Sequence, residues 1–191
     1  PLMLNFSGKG QLKYLSHLEA TSPPKPLAGK ALVCGLYANE LLARLLPEGQ
    51  PSQELFTSYS LLLELLNQPE QLEPALRNFE LSLLAYLDQP LVFSDEQGEP
   101  LVEEAWYHWQ PTTGFSLLAS SLTPNQEQNT NQQPKFKGAD LLAIQADKWH
   151  NLATRKTAKL LTRLALYYHL GNKPLETRKL MQQFLRSSKN N

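Results

Sequence analysis

The stretch ALVCGLYANELLARLL, residues 31–46, decides how the chain is read. Leu32, Leu36, Leu41, Leu42 and Leu45 recur at helical spacing, Val33 and Tyr37 widen the apolar stripe, and Pro47 and Gly49 end it. The same period returns twice downstream. Ser52 is a natural N-cap for a second helix through Gln68, carrying Leu55, Tyr59, Leu62, Leu63 and Leu66. Pro74 suits the first turn of a third helix through Leu87, with Leu76, Phe79, Leu83, Leu84 and Leu87 facing inward. Three helices joined by short Pro/Gly breaks predict an antiparallel bundle.

Upstream the period changes to two. Leu2, Leu4 and Phe6 alternate with Met3, Asn5 and Ser7, Gly8-Lys9-Gly10 turns the chain, and Leu12, Tyr14 and Ser16 continue the alternation. This is one hairpin, too small to stand alone in water. Residues 1–22 therefore read as a β unit, and the proline-rich residues 23–28 as a rigid linker. A helical domain over 29–191 follows. Pro1 stands in the place of an initiator Met, so the chain reads as processed or truncated at its start.

Residues 90–121 break the helical pattern. Leu91-Val92-Phe93, Trp106–Trp109 and Phe115–Ala119 read as short strands, with Asp95–Gly98 as a turn. An Asn/Gln-rich loop spans 122–136, with no apolar residue between Pro124 and Pro134. Gly138–Gln145 is a short helix and Trp149–Leu170 a longer one closed by Gly171. A last helix runs from Leu175 to about Arg186. The expected fold is mainly α: a helical bundle with a small short-strand insertion behind a β-hairpin.

The formal charge is zero, with 18 Lys+Arg against 18 Asp+Glu, but it is unevenly spread. Residues 1–146 hold 8 basic and 16 acidic side chains, and residues 147–191 hold 10 basic and 2 acidic. Between Leu36 and Pro134 only Arg44 and Arg77 are basic, against 14 acids. On the Trp149–Leu170 helix Arg155, Lys159 and Arg163 repeat every four residues beside Lys156, while Leu152, Leu160, Leu161, Leu164 and Tyr168 form the expected buried stripe. Lys173, Arg178, Lys179, Arg186 and Lys189 continue the charge. Two readings stand open at this point. Either the segment meets a polyanion, or it packs on the chain's own acidic body in a non-catalytic helical adaptor.

Catalytic patterns are missing from the sequence. Gly8-Lys9-Gly10 and Gly29-Lys30 lack the spacing and hydroxyl of a phosphate loop, and the four histidines are scattered. Ser16-His17 with Glu19, and Glu103-Glu104, place neighbours on opposite faces of an extended chain. Cys34, the only cysteine, reads as a buried packing thiol, excludes an internal disulfide, and fits a reducing interior. No enzyme activity is expected. No apolar run reaches the roughly 20 residues of a membrane span, so no membrane partner is expected.

Three blocks resemble RecO proteins. They are Gly29–Leu42 with Leu45-Leu46-Pro47-Glu48-Gly49, then Ala75–Leu81 with Leu83-Leu84, then Leu170–Leu180 with Gln183-Phe184. The resemblance implies a recombination mediator of the RecF pathway, with an N-terminal OB-fold and a C-terminal helical domain. Such a protein binds single- and double-stranded DNA, anneals strands, helps load the RecA recombinase together with RecR, and engages the acidic C-terminal tail of single-stranded DNA-binding protein. The resemblance makes residues 1–22 the last strands of that OB-fold, the earlier strands being absent. It implies a bacterial, cytoplasmic, nucleoid-associated protein.

The family's tail-binding surface carries over to Arg77 and Phe79, with Leu83 and Leu84 beside them. The competing reading is an exposed Arg above a core Phe. DNA phosphates are expected at Arg155, Lys156, Lys159, Arg163, Lys173, Arg178 and Lys179, with Lys9 and Lys13 from the hairpin. Many RecO proteins also carry a four-cysteine zinc knuckle in the region matching Leu91–Tyr107. That region holds no cysteine here, so no zinc or other cofactor is expected.

Overall fold

Each helix begins where a local signal allows it. The computed structural model describes residues 2–10, 12–24, 26–118, 133–171 and 173–187, the last three by backbone alone. Helix α1 spans Gly29–Leu45 and α2 spans Gln53–Leu65, where the Ser52 hydroxyl accepts from the Leu55 amide at 3.2 Å. Helix α3, Leu72–Tyr86, starts two residues before Pro74. The proline still falls within the first turn, whose amides have no helical partner to lose. Helix α4 is Gly138–Gln145, α5 is Leu152–Leu170 and α6 is Glu176–Ser187. Helix α5 starts three residues after the expected Trp149, because Asn151 caps it by accepting from the Ala153 amide at 2.9 Å. The Trp149 indole N–H instead donates to the Asp147 carboxylate.

The strands are few. β1 (Leu2–Ser7) and β2 (Tyr14–Ala20) pair antiparallel with a register shift at Asn5/Phe6. Every described residue of both strands is exposed, as in a ribbon with no third strand or helix over its face. A second sheet has the order β4–β3–β5, with β3 at Trp106–Gln110, β4 at Gly114–Leu117 and β5 at Phe136–Lys137. Leu91–Phe93 is not a strand. Isolated Ser94–Pro100 and Asp95–Phe115 bridges form after it, and the Asp95 carboxylate shapes the turn by accepting from the Gln97 and Glu99 amides at 2.9 and 2.8 Å. Most of the Asn/Gln-rich segment lies outside the described residues. The fold is mainly α with a short-strand insertion.

One core joins α1, α2, α3 and the later half of α5 around Phe79, Leu83, Leu84, Leu41 and Leu62. A second joins the three-stranded sheet, α4 and the first half of α5 around Tyr107, Phe115, Phe136 and Leu161. Leu91 and Trp109 pack against both. The inward faces differ from a simple count of leucines. On α1 the buried residues are Ala31, Val33, Cys34, Gly35, Ala38 and Leu41, while Leu32 and Leu36 are 43% and 40% exposed. On α5 they are Thr154, Ala158, Leu161, Thr162, Ala165 and Leu166, and Leu152, Leu160 and Tyr168 are exposed. Small residues let the helix backbones approach, and the large side chains are left to the flanks.

Gly138 marks the tightest corner. It joins β5 to α4, donates its amide to the Ala105 carbonyl at 2.8 Å, and a Cβ built on it would lie 1.8 Å from the Val102 carbonyl oxygen. Because the obstacle is backbone, Gly138→Ala has to displace the insertion. The expected outcome is at least the roughly 1–3 kcal/mol of an overpacked core, read as a lower chemical-denaturation midpoint. Gly98→Ala, which meets nothing within 4 Å but has φ +86, should cost only its backbone strain.

Candidate binding cleft

Helices α1 and α3 run in the same direction, as the pairs Lys30 with Glu73 and Tyr37 with Glu80 show, and Arg77 with Thr162 ties α5 to α3. A cleft of about 780 Å³ opens between them and is closed on the fourth side by residues 173–182. Its apolar lining includes Val33, Leu72, Leu76, Leu166, Leu170 and Met181. Its cations are Lys30, Arg77, Arg155, Lys159, Arg163, Lys173 and Arg178.

Two of these cations are neutralised. Lys30 pairs with Glu73 at 3.3 Å, and Arg77 Nη1 pairs with Glu80 Oε2 at 2.7 Å. The second pair is fully enclosed. Glu80 is 1% exposed and also accepts from the Tyr37 hydroxyl at 2.8 Å and from the Thr162 hydroxyl, while Arg77 donates to Thr162 Oγ1 at 3.1 Å. Burial, then the Glu80 charge, holds the Tyr37 phenol well above its ordinary value, so it remains a donor. Cys34, also in the lining, has its thiol pushed up by burial, with Lys30 and Arg77 pulling partly against it.

The remaining cleft cations have no carboxylate of their own. Among the described residues Arg155, Lys159, Arg163, Lys173 and Arg178 form no ion pair, and the buried Arg155 Nε has no acceptor. Burial first, then repulsion from Arg178, lowers the Arg163 guanidinium from its usual value. At the other end Glu73 is raised by burial, but Lys30, with Lys159 and Arg155 behind it, brings its carboxyl below the usual range. These cations converge on a space lined by apolar carbon, with the Glu73 and Glu80 carboxylates in its wall.

The sequence-predicted residues divide accordingly. Arg155, Lys159, Arg163, Lys173 and Arg178 are brought together in the cleft. Lys156 is exposed but outside the lining, Lys179 turns to Glu176 at 2.9 Å, and Lys9 and Lys13 lie on the hairpin, where Lys13 donates to the Gly8 carbonyl at 2.7 Å. The Arg77/Phe79/Leu83/Leu84 surface needs correction. Phe79, Leu83 and Leu84 are 1%, 0% and 0% exposed in the first core, so none of them offers a face to a peptide. Arg77 reaches the cleft but is neither solvent-exposed nor free. The sequence reading missed Lys30, Leu166, Leu170 and Met181; the alternation of Arg163 with Leu166 and Leu170 along one helix face was the available signal. For the adaptor reading, no described cation after residue 147 forms an ion pair with a carboxylate of the acidic body, although Arg155 and Lys159 lie near enough to Glu73 to lower its carboxyl.

A family model described as "Recombination protein O C terminal" matches residues 27–179. The chain is 40% identical over 184 residues to the DNA repair protein RecO of Actinobacillus succinogenes, covering 94% of this chain and 73% of that one. It is 38% identical over 188 residues to the same protein of Pectobacterium atrosepticum, covering 97% and 73%, and 38% over 183 residues to that of Coxiella burnetii, covering 95% and 75%. The chain belongs to the RecO family. With the RecO family comes a role in DNA repair and recombination.

The insertion holds no cysteine or histidine between Leu91 and Tyr107. Phe93–Tyr107 offers only carboxylates, Asp95 is engaged by two backbone amides, and no group of three or more His, Cys, Asp or Glu among the described residues could hold a metal. Aromatic packing ties the insertion together instead. Phe93 stacks on Phe115 at 5.9 Å, Tyr107 meets Phe115 edge-on at 6.5 Å, and the Tyr107 hydroxyl accepts from the Val102 amide at 2.9 Å. Among the described residues no helix is long and apolar enough to cross a membrane.

Proposed function

We propose that this chain is a non-catalytic recombination mediator that binds single- and double-stranded DNA, anneals complementary strands, and takes the acidic C-terminal tail of single-stranded DNA-binding protein into the cleft between α1, α3, α5 and α6. It works with RecR to help load the recombinase of the RecF pathway, without zinc or another cofactor, in the bacterial cytoplasm at the nucleoid. One observation carries the reading: five cations with no ion pair among the described residues, Arg155, Lys159, Arg163, Lys173 and Arg178, share a cleft with Leu76, Leu166, Leu170 and Met181.

The chemistry follows from that mixture. A peptide that is acidic along its length and ends in an aromatic residue needs guanidinium groups for its carboxylates and an apolar recess for its ring. Arg163 and Arg178 take the carboxylates, and Leu166, Leu170 and Met181 take the ring. Phosphates of a DNA strand need only the cations, so Arg155, Lys156, Lys159 and Lys173 extend the path along the start of α5 and the 173 turn, and Lys179, Lys9 and Lys13 add charge outside the cleft.

The two ligands should separate by salt. Single-stranded DNA should lose affinity with a slope of about −0.7 in log K against log salt for each phosphate neutralised. The tail peptide should weaken less, because its ring is held by apolar contact that salt does not screen. Fluorescence titration of a labelled oligonucleotide and a labelled acidic peptide at low and moderate salt tests both. A DNA affinity indifferent to salt, or no binding of the peptide, overturns the corresponding half.

A further inference from the structure

The fourth wall of the cleft is a short helix held from outside. Helix α6 packs mainly on α1, and its first turn lies against one i,i+4 pair of that helix. Glu40 Oε1 accepts from the Glu176 amide at 2.8 Å, and Oε2 accepts from the Thr177 amide at 2.9 Å and the Thr177 hydroxyl at 2.6 Å. Arg44 donates to the Lys173 and Pro174 carbonyls at 3.1 and 3.0 Å and pairs with Glu40 at 2.9 Å. At the far end the Phe184 ring comes within 3.5 Å of the Cβ position of Gly29, so α6 lies antiparallel along α1. Neither Glu40 nor Arg44 lines the cleft.

We propose that Glu40 and Arg44 are positioning residues for ligand binding: their clamp on residues 173–177 holds α6 docked, so that Arg178 and Met181 stand opposite Arg163 and Leu166 before any ligand arrives. This rests on the cleft being the peptide site. The clamp has physical work to do. Twelve residues are too few for a helix to persist undocked in water. Arg178 also sits where it repels Arg163, which opposes the docking of the wall. A carboxylate accepting three hydrogen bonds at a helix N-terminus, with a guanidinium fork on the carbonyls just before it, counters that repulsion.

The test uses the full chain, a synthetic acidic peptide ending in phenylalanine, and hydrogen exchange read by mass spectrometry. Glu40→Ala and Arg44→Ala should each lower peptide affinity about tenfold, the effect of leaving the docked wall only a tenth populated. Both should speed exchange in 175–187 and leave α3 and α5 protected. Glu40→Gln, which keeps one acceptor oxygen, should recover part of both effects. Arg178→Ala should lower affinity without speeding exchange in α6, because it removes a repulsion rather than the clamp, and so separates contact from positioning. If an alanine variant does not fold, Arg44→Lys, which keeps the ion pair but not the fork to both carbonyls, serves in its place. Wild-type affinity in the clamp variants, or lost affinity with unchanged α6 exchange, overturns the proposal. A wild-type chain that ignores the peptide defeats the peptide site instead, and the exchange of 175–187 in Glu40→Ala still decides whether the clamp holds the wall.

Discussion

Arg163→Glu combined with Arg178→Glu should lower affinity for an acidic, aromatic-ended peptide by more than a hundredfold at low salt. Each guanidinium stands to give a charge-assisted hydrogen bond of about 1.5–3 kcal/mol, and two such losses already exceed two decades in affinity. Reversal adds repulsion against the peptide's own carboxylates. The fold should tolerate the change. Neither arginine has an ion pair among the described residues, and each sits where like charges already repel. The unfolding midpoint should therefore shift by no more than the fraction of a kcal/mol usual for surface changes. Single-stranded DNA should bind the double variant with a shallower salt dependence, each lost phosphate contact removing about 0.7 from the slope. Titration of peptide and oligonucleotide against the folded variant gives the answer. Undiminished peptide affinity would remove the cleft from consideration as the tail site.

The helices were legible because periodicity and punctuation agree. Ser52, Gly171 and the breaks at Pro47 and Gly49 place helix ends within a few residues. Facing was less legible. Leu32, Leu36, Leu152 and Leu160 satisfy the apolar period but lie on the flanks of helices whose contact faces mix alanine, cysteine, glycine and threonine with Val33, Leu41, Leu161 and Leu166. Hydrophobicity ranks leucine first, whereas close helix packing selects small residues, and only the neighbouring helix decides between them. The same limit governs the site. The stripe Arg155, Lys159, Arg163 was visible along one helix, as were Leu166 and Leu170 beyond it, but the rest of the apolar lining, Val33, Leu72, Leu76 and Met181, comes from three others. Arg77 shows the reverse error. A lone cation in an acidic stretch reads as a surface feature until Glu80, one turn on, is seen to bury with it.

That buried pair sets the second large effect. Glu80→Leu should destabilise the chain by about 3–5 kcal/mol, because it leaves the Arg77 guanidinium enclosed without a counter-charge. Thr162 and Tyr37 lose their acceptor in the same step. Against a total stability of roughly 5–15 kcal/mol, this should show as a fall of the thermal midpoint by about 6–20 °C. Glu80→Gln keeps the shape and one acceptor and should fall between. The double replacement Arg77→Met with Glu80→Leu removes both buried charges and should return most of the loss, since a buried ion pair repays little beyond its own desolvation. The double variant also settles what Arg77 does. A folded Arg77→Met/Glu80→Leu chain that still binds the acidic peptide like wild type makes Arg77 a strut between α3 and α5. One that is stable but no longer binds puts its guanidinium in contact with the ligand and returns it to the tail site on new grounds.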